Sequence, residues 1–156
     1  MTAEPAPPRL AFAARLRIDV AAPLVVGETG AGLRRVINIT GGSVEGARLS
    51  GRILPGGADF QVIRADGLTL LHARYVVETG PGELVYIENS GLRHGPPEAM
   101  ERIKRGEYVD PSLIYFRTTP VFESGAARHQ WLTRAVFTGV GARYPDRVEL
   151  DVFEVL

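Results

Sequence analysis

The chain has 156 residues, 18 of them basic and 18 acidic, so its formal net charge is zero. It exerts no general pull on a phosphate backbone, and nucleic-acid binding is not expected. The absence of Cys excludes disulfides, thiolate nucleophiles and Cys-ligated zinc, and no apolar run approaches the roughly 20 residues of a membrane-spanning helix, so no membrane partner is expected.

Residues 1–9 carry Pro5, Pro7 and Pro8 without a cationic start or a long apolar stretch. They read as a flexible Pro-rich tail and not as a signal peptide, which makes a cytoplasmic location the default expectation. Residues 10–156 read as one domain. Gly and Pro recur there about every ten residues, the pattern of many short strands joined by turns. Strands are expected near Leu10–Val20, Arg34–Gly41, Ala47–Ile53, Asp59–Arg64, Thr69–Glu78 and Leu84–Asn89. Three more are expected near Ile114–Thr119, Trp131–Val140 and Val148–Val155. Pro55-Gly56-Gly57, Asp66-Gly67 and Gly80-Pro81-Gly82 supply turn chemistry between them. One helix is expected after Pro96 and Pro97, with Glu98 at its positive end and Gly106 as its stop. Met100 and Ile103 would fall on its apolar side. The fold class is therefore all-β, a single antiparallel β-barrel of about 8–10 strands with one short helix, because closure removes the exposed strand edges.

An interior of that size admits side chains or one small ligand, so the polar residues that face inward matter most. Side chains two apart share a strand face. Asp59 and Gln61 oppose Phe60 and Val62; Tyr115 and Arg117 oppose Phe116 and Thr118; Trp131 heads its own set. With Asn89, the set Asp59, Gln61, Tyr115, Arg117 and Trp131 holds a carboxylate, a guanidinium fork, a phenol, an amide and an indole. That set suits a small polar aromatic or carboxylated ligand. A lone buried carboxylate is too costly to keep, so Asp59 is expected to face the interior within reach of Arg74 or Arg117.

Other chemistries find little support. His72, His94 and His129 are dispersed, so no metal is expected. No Ser sits in a Gly-x-Ser-x-Gly elbow. The clusters Gly27, Gly30 and Gly32, Gly41-Gly42 and Gly56-Gly57 open no helix and form no phosphate loop. No cofactor is called for.

A longer pattern carries a resemblance. It runs Ile39-Thr40-Gly41-Gly42-Ser43-Val44-Glu45-Gly46, Leu49-Ser50-Gly51, then Leu54-Pro55-Gly56-Gly57-Ala58-Asp59-Phe60-Gln61. It continues with Asp66-Gly67, Ala73-Arg74-Tyr75, Tyr115-Phe116-Arg117-Thr118, Pro120-Val121-Phe122-Glu123 and Trp131-Leu132. In order and spacing this resembles the domain of unknown function 3237 family over nearly the whole chain after the tail. One departure is Pro81-Gly82, where the family pattern often has Asp-Gly. The resemblance implies a β-barrel and soluble bacterial or fungal members, and it implies no reaction. Its recurring polar positions fall on Asp59, Gln61, Arg74, Tyr75, Arg117, Glu123 and Trp131.

Two functions of different class follow. One is a barrel that binds a small polar or aromatic metabolite without chemistry. The other is a cofactor-independent isomerase, cyclase or lyase acting on an enolisable or phenolic metabolite. There Asp59 would be the general base, Arg74 or Arg117 would steady an enolate, and Tyr115 would donate a proton. A third role, structural or homo-oligomer-forming, needs no ligand. A hollow interior of several hundred Å3 with converging Asp and Arg favours the first two, and a barrel filled by Phe, Leu and Trp favours the third.

Overall fold

Burial alternates with period two along the long strands, as over Tyr115–Glu123, where Phe116, Thr118, Pro120 and Phe122 are buried and the residues between them exposed. The computed structural model describes residues 2–156. Ten strands form: β1 (Leu10–Val20), β2 (Leu24–Thr29), β3 (Gly32–Glu45), β4 (Gly51–Ile53), β5 (Ala58–Ile63), β6 (Thr69–Gly80), β7 (Glu83–His94), β8 (Tyr115–Glu123), β9 (Val136–Arg143) and β10 (Arg147–Val155). One α-helix, α1 (Pro97–Lys104), follows β7. Short 3-10 helices occupy Pro111–Leu113 and Ala127–Thr133. No helix among the described residues is long and apolar enough to cross a membrane.

The ladder runs β1–β10–β9–β8–β7–β6, all antiparallel. β6 then pairs with β5 and β4, both of these pair with β3, and β3 returns to β1. The result is a closed eight-stranded antiparallel barrel, as expected from the sequence. β3 bends to do this work. Its first half pairs with β5 and β2, its second half with β4 and β1. The bend falls at a bulge where Asp19 opposes Gly41 and Val20 opposes Ile39. Gly42 follows at φ +142°, and a Cβ there would lie 2.0 Å from the Arg17 carbonyl oxygen, so no other residue fits this corner.

The lower half of the barrel is a solid core. Leu16, Val44, Val77, Val85, Ile87, Phe122, Phe137 and Val152 are buried there together. The 3-10 helix Ala127–Thr133 closes that end with buried Leu132. This segment corrects the expected strand from Trp131, since β9 starts only at Val136. Trp131 packs edge-on against Phe137 with centroids 5.8 Å apart, and the Arg48 guanidinium lies 3.6 Å above its ring.

At the other end, α1 buries Ala99, Met100 and Ile103. These form a small separate cluster with Val109 and the half-buried Ile114. Pro97 fits the first turn because its missing N–H has no partner to lose. Gly106, at φ +80°, ends the helix. Its N–H donates to the Ile103 carbonyl while that of Glu107 donates to Arg102, which is the Schellman arrangement. Thr2–Arg9 is exposed and carries no strand or helix; Arg9 exchanges two backbone hydrogen bonds with Leu156.

Candidate functional site

Alternation decides which polar side chains enter the upper half of the barrel. β5 directs Asp59 and Gln61 inward and leaves Phe60 exposed. β6 contributes Leu71, Ala73 and Tyr75, and β7 contributes Asn89 and Arg93. β8 contributes Phe116 and Thr118, and β9 contributes Arg143. With aliphatic residues of β1, β3 and β10 they enclose a cavity of about 50 Å3. That gives room for a few water-sized groups, less than the roughly 300–1,000 Å3 of an open ligand pocket. A second cavity of about 20 Å3 shares Arg93 and lies beneath α1, bounded by Arg35, Met100 and Ile103.

Bare backbone on β9 lets β8 side chains reach in. A Cβ on Gly139 would lie 2.3 Å from Thr118 Oγ1, and one on Gly141 would lie 2.7 Å from the Phe116 ring. Those sites must be glycine for Thr118 and Phe116 to occupy the wall.

Asp59 is held from two sides. Its Oδ1 accepts the His72 backbone N–H at 3.0 Å, and its Oδ2 accepts Gln61 Nε2 at 2.9 Å. Around it, five buried polar atoms have no hydrogen-bond partner within the protein: Gln61 Oε1, Tyr75 Oη, Asn89 Oδ1, Arg93 Nε and Thr118 Oγ1. All five belong to residues lining the one cavity. At about 1–3 kcal/mol for each unsatisfied buried group, five would cost on the order of the whole stability of a domain. Something other than protein must therefore satisfy them, either a ligand or ordered water.

Charge is unbalanced at the same place. Arg93 and Arg35 are 3% and 5% exposed, and Arg143 lines the cavity beside them. Burial raises the Asp59 carboxyl above the ordinary carboxylate range; the Gln61 and His72 donors, then Arg93 and Arg143, oppose the rise. Burial also lowers Arg93 to about 10, with the Arg143 charge acting the same way. Arg35 and Arg143 move down for the same first reason. The Tyr75 phenol is pushed up by burial and then by the Asp59 charge. A neutral phenol, a carboxyl that holds its proton more tightly than usual and guanidinium groups thus face one space, which is the equipment for binding or steadying an anion.

Of the residues singled out from the sequence, Asp59, Gln61, Tyr75 and Asn89 meet at the cavity. Five others do not line it. Arg74 is exposed because its neighbours Ala73 and Tyr75 take the inward positions; it donates to His72 Nε2 at 3.1 Å and lies 3.7 Å from Glu88. Tyr115 and Arg117 are outside because β8 turns Phe116 and Thr118 inward. Tyr115 stacks on His94 at 5.1 Å, and Arg117 lies 4.9 Å from the Tyr115 ring centre. Glu123 shares that outer face. Trp131 belongs to the closed lower end. The expected partners of Asp59, Arg74 or Arg117, are thereby corrected: Arg93 and Arg143 share its cavity instead. Reading β7 on past Asn89 in steps of two would have found Arg93, and reading β9 past Val140 would have found Arg143.

Known proteins share this framework. The family model described as "Protein of unknown function (DUF3237)" matches residues 8–155. A UPF0311 protein of Rhodopseudomonas palustris is 53% identical over 130 residues, covering 83% of this chain and 85% of the relative. One from Clostridium acetobutylicum is 38% identical over 141 residues, covering 90% and 89%. The crystal structure of a conserved protein of unknown function from Rhodopseudomonas palustris superimposes with a TM-score of 0.92 at 44% identity, over 98% of this chain and 100% of that one. An enzyme from Penicillium herquei superimposes with a TM-score of 0.73 at 17% identity over the full length of both chains, which shows a shared fold alone. By its match along nearly its entire length and by these relatives, the chain belongs to the DUF3237 family of proteins of unknown function.

Proposed function

We propose that the barrel binds a small polar or aromatic metabolite in its upper half. The carrying observation is the convergence of five unpartnered buried polar atoms on one cavity beside Asp59. Donors and acceptors are both among them, so a ligand with a hydroxyl or carbonyl finds complements from four strands, β5 to β8. The free volume of about 50 Å3 falls short of the several hundred Å3 that a whole metabolite fills and admits a head group only. A larger body enters by displacement of α1, whose attachment is the small cluster around Met100 and Ile103. Ligand-observed NMR with a library of hydroxylated and carbonyl-bearing metabolites tests this. Saturation transfer from wild-type protein, lost in Asn89→Leu and Gln61→Leu variants that remain folded, supports it. Equal transfer from wild type and variants, or none from wild type, overturns it.

A second reading rests on the raised Asp59 carboxyl beside the unpartnered Tyr75 hydroxyl. In an enzyme acting on an enolisable or phenolic metabolite, Asp59 would take the proton, a guanidinium would steady the enolate and Tyr75, in place of Tyr115, would donate. A bound ketone that exchanges its α-protons in D2O with wild type but not with Asp59→Asn favours this reading over simple binding.

A further inference from the structure

We infer that the ligand is an anion and that it presents a carboxylate to Arg93 and Arg143. The inference rests on the binding reading above and adds the charge of the ligand to it. Three guanidinium groups, Arg35, Arg93 and Arg143, meet at the α1 end of the barrel, and Asp59 is the one acidic residue lining the upper cavity. Glu101 lines the second cavity beneath α1, where Lys104 lies 3.9 Å from it and offsets its charge. Beyond that pair, three positive charges face one negative, which leaves two uncompensated. None of the three arginines forms an ion pair with a carboxylate among the described residues, whereas the arginines of the outer surface do so repeatedly, Arg15 with Asp151 and Arg52 with Glu78 for example.

The guanidinium groups are oriented without being neutralised. Arg35 donates to the Lys104 carbonyl at 3.1 Å, and Arg143 donates to the carbonyls of Tyr144 at 2.6 Å and Arg147 at 3.2 Å. These neutral acceptors fix direction and carry no charge. Arg93 lacks even that. It is 3% exposed, its Nε has no partner, and its guanidinium lies 5.4 Å from the Phe116 ring centre. A buried cation is kept when a counter-charge meets it. A carboxylate matches the planar fork with two parallel hydrogen bonds, which a neutral amide cannot do with equal strength. Water alone would satisfy the hydrogen bonds and leave the charge.

The test uses the Arg side-chain Nε–Hε signals of 15N-labelled protein at constant ionic strength. Probes are acetate and formate against their neutral counterparts, acetamide and formamide, all small enough for the free volume. Acetate is expected to move the Arg93 signal saturably, acetamide to leave it in place, and Arg143→Met to weaken acetate at least tenfold. Since a cavity variant can lose its fold, Arg143→Lys serves beside it, and is expected to retain part of the response. Equal shifts with acetamide overturn the charge inference while the binding reading stands. No shift with either probe also overturns it, and the metabolite library then decides the binding reading on its own.

Discussion

Asp59 on β5 accepts the backbone N–H of His72 on β6, at the point where the ladder between these strands is interrupted. Asp59 pairs with Ala73 and Val62 with Leu70, and the positions between them carry no pairing. The carboxylate fills the place of a strand carbonyl, so Asp59 is at once a structural tie and a cavity group. Its removal by alanine would cost both roles, and asparagine separates them.

Asp59→Asn keeps an oxygen for His72 and removes the titration. The folded carboxyl lies above its ordinary value of 3.8, so the folded state binds the proton more tightly than the unfolded chain. Stability then falls as pH rises from the unfolded pKa through the folded one, and stays lower above it. Urea unfolding from pH 3 to 8 should show the variant gaining on wild type across that window. A variant that loses ground as pH rises would mean that Arg93 and Arg143 outweigh burial.

Thr118→Val replaces an unpartnered buried hydroxyl by a methyl group of similar shape. With ordered water meeting the hydroxyl in the free protein, its loss should change stability by less than about 1 kcal/mol, read from denaturant midpoints, and should weaken any ligand that uses the hydroxyl.

Gly139→Ala forces the opposite. Its Cβ would stand 2.3 Å from Thr118 Oγ1 and 2.8 Å from Leu150 Cδ1. The wall must shift into the cavity, at a cost of about 1–3 kcal/mol for overpacking. Thermal melts measure the loss, and an unchanged melt would show that β8 gives way freely.

Arg74→Ala with Arg117→Ala removes two exposed side chains outside the barrel. Stability should change by less than about 1 kcal/mol for the pair, and acetate should still move the Arg93 signal as in wild type. A lost response would return these arginines to the site.

Gly106→Ala places a Cβ at φ +80°, the left-handed stop of α1. The strain of about 1 kcal/mol should fall on the helix and not on the barrel. Hydrogen exchange should therefore quicken at the α1 amides while β6 and β7 keep their protection.

The barrel was legible in the sequence because Gly and Pro punctuation and period-two runs leave few other arrangements, and α1 because Pro97 and Gly106 mark both ends. Asp59 and Gln61 were found by parity on a short strand. The rest was hidden by specific features. The expected strand ends at Asn89, whereas β7 runs on to His94 through Gly91, where a Cβ would lie 2.3 Å from the Arg117 carbonyl oxygen; Arg93 lies in that extension. On β8 the polar set Tyr115 and Arg117 looked like a lining, whereas burial of Phe116 and Phe122 fixed the opposite parity. β2 was missed because Leu24–Thr29 lies mostly exposed and is broken by a bulge between Val25 and Gly27.

The pairing of β1 with β10 joins Leu10 to Val155. The first and last strands are therefore neighbours in the wall, and the ring shuts only when the most distant parts of the chain meet. Contacts of such long separation make folding slow, because the entropy of closing the loop is lost before the contacts repay it. During synthesis β1 must wait for β10 to leave the ribosome, with its hydrogen-bonding edge and its apolar Leu16 and Ile18 uncovered on that side. Until β10 arrives, that open edge is where an incomplete barrel of this kind is most prone to pair wrongly.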